Sequence, residues 1–111
     1  MKSEDNLTLP VNTRWGGLLE SGRLNWDYRE AKPYWVSRIC TCPPTTTNKS
    51  VIEKSIRQFK TVTFANRYTG HKVSFEVKDL VVVEGSEYEF FQSGKLYFII
   101  VLGEKLTINN I

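Results

Sequence analysis

Leu18-Leu19-Glu20-Ser21-Gly22-Arg23-Leu24-Asn25-Trp26-Asp27-Tyr28-Arg29-Glu30 passes from one structural period to another within a few residues. Just upstream, Trp15 joins Leu18 and Leu19 at i, i+3 and i+4, the apolar stripe of a short helix that Thr13 or Asn12 can cap. Gly22 stands where such a helix closes in the left-handed conformation, while Gly16 and Gly17 weaken it from within. Beyond the turn, Leu24, Trp26 and Tyr28 alternate with Asn25, Asp27 and Arg29, the period of a strand with one apolar and one polar face. Arg29 is therefore expected to point with Asn25 and Asp27.

Working outward, Pro33 suits the first turn of a second short helix whose Tyr34, Trp35, Arg38 and Ile39 are expected to pack back on the core. Cys40 to Ser50, with Pro43, Pro44 and Thr45 to Thr47, has the composition of an extended, exposed loop. Ser50 and Glu53 fit a capping box for one or two helical turns through Ile56, and an irregular segment fits equally well. Val62 and Phe64 begin a strand, Thr69 and Gly70 supply a turn, and Val73, Phe75 and Val77 return as the second arm of a hairpin. Leu80 to Val83 continues or bends that arm, and Gly85 to Gly94 is an acidic aromatic loop. Leu96 to Leu102 reads as a strand buried on both faces that Gly103 ends, with Leu106 and Ile108 adding a last short strand.

About five strands, two or three short helices and no βαβ alternation define an α+β chain, closed most economically as a small mixed half-barrel. A length of 111 residues fits one domain. We expect residues 1–12 to be a tail, frayed at Met1 to Asn6, and 13–111 to form the domain.

Composition excludes several classes. The apolar runs Leu80 to Val83 and Leu96 to Leu102 fall far short of the roughly 20 residues that cross a bilayer, and Met1 to Asn6 lacks the pattern of a secretory signal. A soluble, cytoplasmic protein without membrane contact is expected. Cys40 and Cys42, separated by one residue, are too close for an ordinary disulfide and have no second pair to complete a zinc site, so they read as reduced thiols. His71 is the one histidine, which leaves metal sites and histidine-based triads little to work with. No glycine-rich phosphate loop is present, and no cofactor or metal is expected. A formal charge of +3, fifteen Lys and Arg against twelve Asp and Glu, is too mild to mark a nucleic-acid binder by itself. Basic residues are frequent from Arg23 to Lys78, whereas Glu84, Glu87 and Glu89 gather later in the chain.

The run from Leu18 to Glu30, continuing through Lys32-Pro33-Tyr34-Trp35 to Arg38-Ile39, resembles the ASCH family of PUA-like domains. Members open with a short helix, a glycine turn and a strand of the form GxKxxExR, a frame that Gly22 and Arg29 match. Small members found in phages and mobile elements resemble the chain further along, with a YRE-x-KPYW-x-x-R run. In them an FxNxY motif and a C-terminal YFxIxLGE follow, as Phe64-Ala65-Asn66-Arg67-Tyr68 and Tyr97 to Glu104 do here. The likeness covers Trp15 to Leu106, with residues 40–59 standing apart as an insertion. It implies a PUA-like pseudo-barrel with a cleft faced by Arg29, in which relatives are proposed to hold RNA or nucleosides.

Departures from the frame bear on chemistry. Leu24 replaces the motif lysine and Asp27 the threonine that amidohydrolases of the family use on acylated cytidine, alongside an acid from a later loop. Leucine neither accepts a proton nor holds a charge, so that mechanism loses two of its three members. The resemblance thus implies a non-catalytic RNA- or nucleotide-binding module. Ligand-binding candidates are Arg29, Asp27, Asn25, Lys32, Arg38, Tyr34, Asn66 and Tyr68. An ionised Asp27 is expected to orient Arg29.

Each candidate has a plainer reading. Arg29 can clamp a phosphate or pair internally with Asp27, Glu30 or Glu76. Lys32 and Arg38 can be solvated surface, and Trp26, Tyr28, Tyr34 and Trp35 can be stacking platforms or core. Asn66 can read a base edge or fix the hairpin turn, and Glu84, Glu87 and Glu89 can be acid-base groups or a solvated loop. A different class of function also fits: a protein-binding inhibitor or accessory factor of a mobile element, contacting a host protein through Cys40 to Ser50. An amidohydrolase is the remaining alternative.

Overall fold

The computed structural model describes residues 6–89 and 91–106. These form five strands and three helices: β1 (Asn6–Val11), α1 (Thr13–Glu20), β2 (Trp26–Glu30), α2 (Pro33–Ile39), α3 (Lys49–Lys54), β3 (Thr61–Asn66), β4 (Lys72–Glu84) and β5 (Leu96–Leu106). The strands make one sheet in the order β1-β3-β4-β5-β2. The sheet is mixed, because β1 runs parallel to β3 while β3 and β4 are antiparallel. The α+β class with about five mixed strands is what the sequence led us to expect. No helix among the described residues is long and apolar enough to cross a membrane.

By compactness the chain divides into two units. The first comprises residues 1–27, 58–78 and 101–111. Its core is built from strand register: Leu7 lies opposite Val62 and Val62 opposite Phe75, while Leu9 lies opposite Phe64 and Phe64 opposite Val73. Because side chains alternate along each strand, both rows fall on one face, and all six residues are buried. Phe64 and Phe75 meet edge to face at 6.0 Å. On α1, Leu19 is fully buried. Asn12 rather than Thr13 caps this helix, its side chain accepting from the Trp15 amide. Gly22 closes the helix with φ of +82°, as its position predicts.

Three expectations for this unit need correction. The stretch taken as a tail contains β1, so residues 6–11 are part of the sheet, including Asn6 from the segment expected to fray at Met1 to Asn6; the rest of that segment lies outside the described residues. The signal was the alternation of Leu7, Leu9 and Val11, with Pro10 tolerated because β1 is an edge strand. Gly103 does not end the last strand: β5 runs on to Leu106, and Gly103 sits where a Cβ would come within 3.2 Å of the Glu76 Cβ. Of the separate short strand expected at the end, Leu106 belongs to β5 and Ile108 lies outside the described residues.

The second unit comprises residues 28–57 and 79–100. Val36, Ile39, Cys40, Ile52, Val82, Phe91, Tyr97, Phe98 and Ile100 are its buried residues of size. Phe91 stacks on Tyr97 at 4.1 Å, and Tyr28 tilts against Phe91 at 4.9 Å. Pro33 starts α2 as expected, but the helix turns Val36 and Ile39 inward and leaves Tyr34 exposed. The segment between α2 and β3 is anchored at its base. Cys40 bridges Ile56, the Thr41 amide donates to the Ser55 carbonyl at 2.8 Å, and the Arg57 amide donates to the Ile39 carbonyl at 2.9 Å. Asn48, not Ser50, caps α3, its side chain accepting from the Val51 amide. The hairpin turn at Gly70 and the continuation of β4 through Val83 stand as expected.

Candidate functional site

The expected polar face of β2 is not solvent-facing along its length. Asp27 is buried, at 2% exposure, and Tyr28 is the exposed neighbour. Asp27 Oδ1 accepts a hydrogen bond from the Trp15 indole Nε1 at 2.8 Å. A buried carboxyl group persists where such donors meet it, so Asp27 serves as an internal acceptor within the first unit. Asn25 is exposed just ahead of the strand, and its carbonyl accepts from the Leu102 amide at 2.9 Å. Leu24 is half-buried.

In the second unit four expected or neighbouring side chains come together. The Arg29 guanidinium lies 5.0 Å from the centroid of the Trp35 ring, and the Arg38 guanidinium lies 3.9 Å from that of Tyr34. Tyr34 and Trp35 meet edge to face at 4.8 Å. The order is thus Arg29, Trp35, Tyr34, Arg38: two aromatic rings in contact, each with a guanidinium over it. Tyr34 and Arg38 meet because residues four apart share a helix face. Arg29 reaches Trp35 from the end of β2 because Ala31 and Lys32 turn the chain directly into α2, with the Lys32 amide bonded to the Glu30 carbonyl at 2.8 Å. Lys32 and Lys95 approach the Glu30 carboxylate at 3.9 and 3.7 Å, so both cationic heads lie beside this acid. Trp35, read as core, is half-buried and links the two arginines.

Asn66 and Tyr68 belong to the first unit. Asn66 Oδ1 accepts from the Tyr68 and Thr69 amides at 2.8 and 3.1 Å, and Nδ2 donates to Thr13 Oγ1 at 3.1 Å. Asn66 therefore fixes the turn, the plainer of its two readings. Tyr68 projects from that turn with 75% of its surface exposed. Sequence reading passed over the pairing of His71 Nε2 with Glu20 Oε1 at 3.0 Å, residues too far apart in the chain for any spacing rule to join.

The acidic loop is a structural device. Glu84 Oε1 accepts from the Ser86 amide at 2.9 Å and from the Ser86 hydroxyl, and Oε2 accepts from the Gly94 amide at 2.5 Å. Glu87 reciprocates by accepting from the Glu84 amide, completing a capping box over a single 3-10 turn at Gly85–Glu87. The Ser86 hydroxyl first, and the Gly94 amide next, hold the Glu84 carboxyl below the usual range, the wrong direction for a general acid near neutrality. Among the described residues no group of three or more His, Cys, Asp or Glu is arranged to hold a metal ion.

Comparison of the chain with protein-family models, with curated proteins and with solved structures returned no match.

Proposed function

We propose that the protein is a non-catalytic RNA- or nucleotide-binding module whose contact face is Arg29, Trp35, Tyr34 and Arg38, with Lys32 at its side. The observation that carries this reading is the pair of guanidinium groups lying over two touching aromatic rings. A guanidinium held over a ring keeps donors at its edge for a phosphate, and its planar fork matches phosphate oxygens two at a time. The exposed Tyr34 ring offers the apolar surface on which an unpaired base stacks. The resemblance to the ASCH family, which implies ligands of this class, supports the same reading. Against the amidohydrolase alternative stand Leu24, the burial of Asp27 and the commitment of Glu84 to its loop.

Titration of labelled single-stranded RNA, duplex RNA and a nucleotide panel at several salt concentrations tests the proposal. Binding should weaken with salt at a log-log slope of about 0.7 per single-strand phosphate neutralised. Arg38→Ala should flatten that slope, and Tyr34→Ala should weaken binding by about 1–3 kcal/mol for one stacked base. Failure of every probe near physiological salt removes the proposal.

A further inference from the structure

Within the first unit, α1 and the β3–β4 hairpin enclose a recess of about 270 Å3. Thr13 and Glu20, the first and last residues of α1, stand about 10 Å apart at 1.5 Å per residue. Each is tied to the hairpin, Thr13 by the Asn66 side chain and Glu20 by His71. Between these two straps α1 contributes only Gly16 and Gly17 to the lining, and Val11, Phe64 and Val73 supply its apolar surface.

The two glycines differ. A Cβ at Gly16 would come within 3.2 Å of a Val11 methyl, whereas one at Gly17 would meet nothing within 4 Å. Packing therefore accounts for Gly16 alone. Gly17 costs the helix about 0.5–1 kcal/mol relative to alanine, and no contact in the fold requires it. What its missing side chain leaves is an open slot with polar groups at both ends.

We propose that this slot is a binding site for a small, flat aromatic cation. Its ring lies on Val11, Phe64 and Val73 beneath the paired glycines, and its N–H donors face the Glu20 carboxylate. Glu20 is the one acid of the lining and neither Lys nor Arg contributes to it; the one base there, His71, meets Glu20 at Oε1, so the second carboxyl oxygen is the acceptor assigned to the ligand's donors and favours a cation over an anion of the same shape. Its volume lies just under the about 300–1,000 Å3 of drug-sized pockets, which limits the occupant to one ring or a compact pair. The site uses none of the arginines of the proposed nucleic-acid face, and either assignment can fail without the other.

Benzamidine and benzoate, a matched cation and anion, are suitable probes when followed by backbone amide NMR of Gly16, Gly17 and His71. Benzamidine is expected to give saturable shifts at these amides and benzoate at least tenfold weaker ones. Gly17→Leu should abolish the benzamidine shifts, and Glu20→Gln should remove the preference between the two probes. Glu20→Gln alters a partly exposed residue and keeps the test intact should Gly17→Leu fail to give a native amide spectrum. Absence of saturable shifts with benzamidine, equal binding of both probes to the unsubstituted protein, retained preference in Glu20→Gln, or retained binding in a folded Gly17→Leu would each overturn the assignment.

Discussion

The Trp15 indole donates its N–H to the buried Asp27 carboxyl at 2.8 Å, tying the first turn of α1 to the start of β2. This bond gives a carboxyl group with 2% exposure a place inside the protein. Trp15→Phe keeps most of the ring and deletes the donor. It is expected to lower stability by about 1–3 kcal/mol, the cost of a lost partner at a buried polar group, as read from urea denaturation. Asp27→Asn retains an acceptor oxygen and should cost less. The reverse ranking, with Trp15→Phe neutral, would show that the bond contributes nothing.

Two glycines predict opposite signs for the same substitution. A Cβ at Gly85 would fall 1.9 Å from the Gln92 carbonyl oxygen, and backbone cannot yield as a flexible side chain does. Gly85→Ala is expected to destabilise by about 1–3 kcal/mol or more through overpacking. Gly17 has open space around the same position, and Gly17→Ala should stabilise by about 0.5–1 kcal/mol. Parallel thermal melts of the two variants decide, and shifts of the same sign would contradict the geometry.

Legibility in the sequence followed the range of the interaction. The cap and glycine closure of α1, the hairpin around Gly70 and the neighbouring placement of Tyr34 and Arg38 are local, and spacing reveals them. The parallel pairing of β1 with β3 joins segments distant in the chain, so Leu7, Leu9 and Val11 looked like a tail even though their alternation was present. Periodicity also could not say which face of β2 turns inward, because that depends on the Trp15 indole arriving from α1. On α2 the same limitation hid Trp35 as the link between Arg29 and Arg38, since its partner lies on another element. The His71–Glu20 pair depends wholly on tertiary placement.

Glu84 organises the turn after β4, and its behaviour with pH follows from that. Its folded-state pKa is lowered by the Ser86 hydroxyl and the Gly94 amide. A carboxyl depressed in this way stabilises the fold above its unfolded pKa and loses that contribution as pH falls through the folded one. Amides of residues 85–89 and 91–94 should therefore lose exchange protection on acidification below the ordinary carboxylate value of 4.5. In Glu84→Gln the loop should be weakened already at neutral pH and change little with acid. Identical pH profiles for the two proteins would remove Glu84 as the cause.

Cys40 and Cys42, separated by one residue, sit in opposite environments. Burial first, and then the neighbouring Cys42, push the Cys40 thiol from its ordinary 9.0 up to about 11. At Cys42 partial burial works upward too, but hydrogen bonds with Ser55, Thr46 and Cys40 outweigh it and hold the thiol below 9.0. Because the thiolate is the reactive form, iodoacetamide at pH 7.5 should modify Cys42 at least tenfold faster than Cys40, as read by peptide mass mapping. Stability carries the matching signature. A thiol whose folded pKa is raised prefers to stay neutral in the native state, so its contribution is complete below about pH 9 and is lost as pH rises toward about 11. Lysines and tyrosines titrate in the same window, so the quantity to measure is the difference between the unsubstituted protein and Cys40→Ala. That difference should shrink steadily from pH 9 to 11, because only the unsubstituted protein has a buried thiol to ionise. A constant difference across the window, or equal alkylation of the two thiols in the folded protein, would place Cys40 in a far wetter setting than its 1% exposure indicates.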